Sequence, residues 1–89
     1  MKAVITVVGK DTVGVVSRVS QVLAELNINI EDITQSIMQD MFCMIMLVNL
    51  SSCTDDMGDV RSKLETLAGE MGMQINLTRQ EVFDAMHHI

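Results

Sequence analysis

The sequence predicts an α+β sandwich: one four-stranded antiparallel sheet, two helices packed on one of its faces, and a short helix at the C-terminus. Three observations carry that reading. The hydrophobic period alternates between two and about 3.6 along the chain, in the order strand, helix, strand, strand, helix, strand. The first and third strand segments are apolar at both odd and even positions, as strands covered on both faces are. The chain has 89 residues, which fill one hydrophobic core and not two.

The first segment, residues 1–8, carries Val4, Ile5, Val7 and Val8 and stops at Gly9, so it reads as a buried strand. Over residues 13–26, Val15, Val16, Val19, Val22, Leu23 and Leu26 fall on a single helical stripe, while Ser17, Arg18, Gln21 and Glu25 fall on the wet side. Asn27 suits a helix exit. Residues 28–38 place Ile28, Ile30, Ile33 and Ile37 among polar neighbours, which predicts a strand with a solvated face or an edge position. A turn at Gln39 and Asp40 then leads into Phe42, Cys43, Met44, Ile45, Met46, Leu47 and Val48.

The second helix follows a polar stretch in which Ser52 or Thr54 is the expected cap, with Asp55 and Asp56 near the positive end of the helix. Its stripe is Met57, Val60, Leu64, Leu67, Ala68 and Met71, and Gly72 terminates it. Met73, Ile75 and Leu77 alternate with Gln74, Asn76 and Thr78, giving a strand that is polar on one face. Val82, Phe83, Met86 and Ile89 then mark a short third helix. Two βαβ halves joined by a hairpin make a ferredoxin-like βαββαβ sandwich, in which the first and third strands are central. The expected organisation is one domain over residues 1–89, with a core at 2–80 and a helical segment at 81–89. Two helices cover only one face of such a sheet. The other face therefore needs the C-terminal helix, a second copy of the chain, or both, with Val82, Phe83 and Met86 in the cover.

Composition excludes several function classes. The apolar fraction is 48% with two Phe and no Trp or Tyr, so the core is aliphatic and methionine-rich. A net charge of −6 and the lack of basic clusters or aromatic platforms argue against nucleic-acid binding by this chain. No apolar run approaches the roughly 18–20 residues of a membrane helix, and no signal-peptide pattern opens the chain. Cys43 and Cys53 lack the spacing of a metal or redox pair; they read as a buried strand residue and a loop thiol, in a cytoplasmic, reducing setting. His87 and His88 are adjacent on a helix and do not face one ion, so neither a metal nor a cofactor is expected. Asp55, Asp56 and Asp59 read as first-turn helix charges, and the nine Met residues as core filling.

The segment richest in chemistry is the first strand-to-helix junction, Gly9-Lys10-Asp11-Thr12-Val13-Gly14. Gly9 permits a sharp turn, Asp11 or Thr12 can cap the helix, and Gly14 in its first turn permits close approach of a ligand. Unpaired N–H groups at a helix start favour an anion such as a carboxylate. By itself the junction reads first as a well-capped turn with no ligand, since a lone Gly-x-Asp-x-x-Gly is a weak signal.

This junction, continued by Val15-Val16 and followed by Leu23-Ala24-Glu25-Leu26-Asn27-Ile28-Asn29-Ile30-Glu31-Asp32, resembles the ACT domain. The ending Val82-Phe83-Asp84-Ala85-Met86-His87 is similar to stand-alone bacterial ACT proteins without assigned function, and the overall pattern to ACT domains of the glycine cleavage system transcriptional repressor. The resemblance implies a non-enzymatic regulatory module that binds a small metabolite, most plausibly an amino acid, at a homodimer interface. It implies ligand contacts from Asp11, Thr12, Val13, Gly14 and Asn29, with Ile28 and Ile30 beside them. Asp11 suits an α-ammonium group, Asn29 offers a donor and an acceptor, and the amides near Gly14 suit the carboxylate. Two positions depart from the family pattern: Val13 stands where many members have Pro, and Gly9 where some amino-acid sensors have His. The rival readings are an ACT domain that only dimerises and docks, and an acylphosphatase-like enzyme. The enzyme would need a cluster of basic donors at the first loop, where Lys10 is the sole basic residue.

Overall fold

Alternation along the first strand divides its side chains between two environments. Ala3, Ile5 and Val7 are fully buried on one side, while Thr6 is half-buried and Val8 exposed on the other. The computed structural model describes residues 1–10 and 13–86. It runs β1 (Lys2–Lys10), α1 (Val15–Glu25), β2 (Asn29–Met38), β3 (Met41–Asn49), α2 (Met57–Met71), β4 (Met73–Arg79) and α3 (Gln80–Met86). The four strands form one antiparallel sheet in the order β2-β3-β1-β4, so β1 and β3 are central, as their two apolar faces require.

The core lies between the sheet and the inner stripes of α1 and α2. Ile5, Met44 and Met46 from the sheet meet Val19 and Leu23 of α1 and Val60 and Leu64 of α2, all with almost no exposure. Truncating a side chain such as Leu23 or Leu64 to Ala at a site of this kind costs about 2–5 kcal/mol. Val16, Val22, Met57 and Met71, at the margins of the predicted stripes, are half-buried.

Local chemistry sets the connections. Gln39 and Asp40 both adopt positive φ, 51° and 68°, between the paired residues Met38 and Met41, which is a two-residue hairpin matched to the twist of the sheet. Gly72 ends α2 at φ 66° and Asn27 follows α1 at φ 58°, both in the left-handed region. The cap of α2 is neither Ser52 nor Thr54. The helix starts at Met57, and the Asp56 carboxylate accepts from the Asp59 N–H at 2.8 Å. Asp55 instead pairs with Lys63 at 3.2 Å.

The face away from α1 and α2 is only partly covered. Val4 points to that side yet is 4% exposed, because α3 packs against β1 and β4 there. Of the three residues expected in the cover, Phe83 is half-buried, whereas Val82 and Met86 are exposed. Farther along the same face Val8, Met38, Met41 and Ile45 remain exposed, and Cys43 is half-buried there instead of sitting in the core. Ile33 and Ile37 lie on the helix side of the edge strand but are exposed. Among the described residues, no helix is long and apolar enough to cross a membrane.

Candidate functional site

The β1–α1 junction is built by glycines with different tasks. Gly9 is still within β1, opposite Phe42 on one side and Met73 on the other. A Cβ at Gly9 would run into the Met73 thioether and lie 3.2 Å from the Met73 Cα, so the glycine makes room for a core methionine. Gly14 has φ 87° and is the N-cap of α1, which begins at Val15, two residues later than the sequence spacing indicates. Its role is therefore a left-handed backbone at the helix entry. Among the described residues, no atom stands within 4 Å of a Cβ placed there.

Among the described residues, no side chain caps α1. The Gly14 carbonyl accepts from Arg18 N–H at 2.9 Å, and the first N–H groups of the helix point towards the junction. Asp11 and Thr12, the expected caps and ligand contacts, lie outside the described residues, as do His87 and His88. Val13 is fully exposed.

Asn29 is exposed at the start of β2. It is paired with Asn49, which is paired in turn with Lys2. The end of β1 at Lys10 is matched with Met41 and, through it, with Met38. Asn29 is thus level with the beginning of β1, and Gly14 follows its end, roughly 26 Å away at about 3.3 Å per residue. Within one chain the structure does not bring Asn29 to the helix start. A βαβ unit makes this unavoidable, since β1 and β2 run in the same direction.

Around Asn29 lies a polar cluster that sequence reasoning missed. A bulge between Ile30 and Asp32 turns Glu31 towards Lys2 at 3.1 Å and the Asn49 amide at 3.3 Å. The hydrogen bond from Lys2, then that from Asn49, holds the Glu31 carboxyl below its ordinary pKa. Elsewhere, a groove of about 410 Å³ runs between α1 and α2, lined by Arg18, Gln21, Glu25, Lys63, Thr66 and Glu70 among others. The Arg18–Glu70 ion pair, at 2.7 Å, stands in it, and its lining includes neither Gly14 nor Asn29. Among the described residues, no three of His, Cys, Asp and Glu gather as metal ligands would.

Comparison with known proteins is consistent with this architecture. The ACT domain family model matches residues 2–78. The chain belongs to the ACT domain family. Members of this family are generally regulatory modules that bind small molecules such as amino acids. A UPF0237 protein of Listeria innocua is 45% identical over 89 residues, the whole of both chains. An ACT domain protein from Streptococcus pneumoniae has a solved structure with a TM-score of 0.82 at 38% identity, covering 94% of each chain. A structure described as a glycine cleavage system transcriptional repressor superposes with a TM-score of 0.75 over 89% of this ACT chain and 45% of its own. At 24% identity it supports the fold alone.

Proposed function

We propose that this ACT chain is a non-enzymatic regulatory module of the cytoplasm whose effector is a small carboxylate-bearing metabolite, an amino acid in the simplest case. The effector sits between two protomers. Asp11, Thr12, Val13 and Gly14 of one copy provide one wall, and Asn29 of the other provides the opposite wall. The whole chain acts as one unit, with residues 81–89 appended to the ACT core.

The observation that carries this reading is the start of α1, where Gly14 is a left-handed N-cap and, among the described residues, no side chain caps the first backbone N–H groups. The separation of Asn29 from Gly14 within a chain favours a site shared by two copies over one within a single copy. β2 is an edge strand, and antiparallel apposition of two β2 edges sets the Asn29 end of one copy beside the β1–α1 end of the other.

A thermal-shift panel of free amino acids tests the proposal, since a ligand of the folded form raises Tm by mass action. Asn29→Ala removes hydrogen bonds to a charged ligand and should weaken binding by about ten- to a hundredfold. Gly14→Leu should abolish it by steric block. If both variants stay folded and bind the same amino acid unchanged, the site lies elsewhere.

A further inference from the structure

The methionines of the chain do not share one role. Met44, Met46 and Met73 are buried in the core, and Met57 and Met71 pack half-buried against it, as core-filling side chains do. Met38 and Met41 depart from the core-filling expectation: they are 67% and 47% exposed, on the sheet face away from α1 and α2. They are paired across the hairpin turn at Gln39 and Asp40, so their side chains stand next to each other on that face. Cys43 follows Met41 by two residues on β3, on the same face, and is half-buried. Three sulfur side chains therefore share one corner of the sheet.

We infer that Met38, Met41 and Cys43 form a binding site for a soft monovalent metal ion, copper(I). Residues paired across strands hold their Cβ atoms about 4.5–5.5 Å apart, and alternate residues of one strand are about 6.6 Å apart. Methionine is unbranched and adaptable, and both methionines stand at the exposed hairpin end with room to turn, so their sulfurs can swing towards the fixed, shorter Cys43. One thiol and two thioethers are soft donors, the set that selects copper(I). Zinc draws on thiolate, imidazole and carboxylate together, and magnesium and calcium on oxygen, so this donor set suits none of them.

Charge balance points the same way. When copper(I) binds, the Cys43 thiol gives up its proton to solvent, and one thiolate with two neutral thioethers leaves the complex without net charge. That suits its surroundings, because Val8 is paired with Cys43 and Ile45 follows it by two residues on β3. An uncompensated charge beside those side chains would lose hydration. A divalent ion on the same three sulfurs would keep a positive charge, against Val8 and Ile45 and next to Lys10, which is paired with Met41.

The site is independent of the proposed effector site and needs no amino acid. Copper(I), kept reduced by ascorbate without oxygen, is titrated into the full chain against the coloured chelator bathocuproine disulfonate. The chain is expected to retain one ion, and zinc should not displace it. Met38→Leu and Met41→Leu conserve volume and should each weaken retention more than about tenfold, with far-UV circular dichroism unchanged. Cys43→Ala should abolish it. Cys53→Ala and Met86→Leu, which change a thiol and an exposed methionine elsewhere, should leave it as in wild type. A wild type that cedes all its copper to the chelator overturns the inference. So does copper held equally well by the Met38→Leu/Met41→Leu double variant, or retention that depends on Cys53 instead of Cys43.

Discussion

Glu31 on edge strand β2 and Lys2 on central strand β1 form an ion pair at 3.1 Å that passes over the strand between them. The Asn49 amide, on that intervening strand β3, donates to the same carboxylate. The bulge at Glu31 makes the pair possible by letting two successive residues of β2 face one position of β3. It ties the start of the edge strand, including Asn29, to the centre of the sheet.

Because both hydrogen bonds favour the charged carboxylate, the folded pKa of Glu31 lies below its unfolded value. The sign follows. The stabilisation is fully present above the unfolded pKa and is lost as pH falls through the folded one. Glu31→Gln should therefore lower Tm at neutral pH, and the gap to wild type should close on acidification. Thermal melts of both proteins across the acid range check this. A gap independent of pH would show that the pair contributes nothing through its charge.

Asp56 supplies a second test. Its carboxylate accepts the Asp59 N–H at 2.8 Å and closes the first turn of α2. Asp56→Ala should cost about 0.5–2 kcal/mol in denaturant melts. Ser52→Ala and Thr54→Ala lie upstream of the cap and should stay within about 0.5 kcal/mol of wild type.

The misplaced cap shows where the sequence was legible. Stretch 51–56 holds several residues able to cap a helix, so composition locates the helix start to within a turn without choosing among them. The stripes of α1 and α2 and the double-faced apolarity of β1 and β3 were legible because burial repeats over many residues. The bulge at Glu31 left no such trace; it depends on how β2 pairs with β3. The open corner at Val8, Met41 and Ile45 was foreseen as an apolar face, but the extent of α3's cover depends on its placement. The distance between Asn29 and Gly14 was available from topology alone, since parallel β1 and β2 put the start of one level with the start of the other.

Gly9 and Met73 make a coupled pair. Gly9→Ala pushes a methyl group into the Met73 thioether and should destabilise by about 1–3 kcal/mol. Met73→Ala alone leaves a cavity at a residue only 7% exposed and should also destabilise. The double variant should lose less than the sum, because each change accommodates the other. A double-mutant cycle by urea denaturation reads the coupling, and strict additivity would mean that Met73 simply swings aside. The result bears on function: Met73 takes up the space that a larger side chain at Gly9 would need.

Phe83 decides whether α3 belongs to the fold or only hangs from it. It is half-buried where Val82 and Met86 are exposed, and α3 packs on β1 and β4, where Val4 is shielded. Full burial of a large apolar side chain contributes about 1.5–3 kcal/mol, so a half-buried Phe83 should contribute roughly 0.8–1.5 kcal/mol. Phe83→Ala should lose that amount and expose Val4 to solvent. Removing residues 81–89 should lose at least as much and increase aggregation, because Val4 would join Val8 and Ile45 in one exposed apolar strip. Val82→Ala should cost no more than about 0.5 kcal/mol, since its side chain is exposed. Urea denaturation and static light scattering on the four proteins measure these losses. Equal stability of Phe83→Ala and wild type would show that α3 does not hold the sheet face, and that Val4 is protected in some other way.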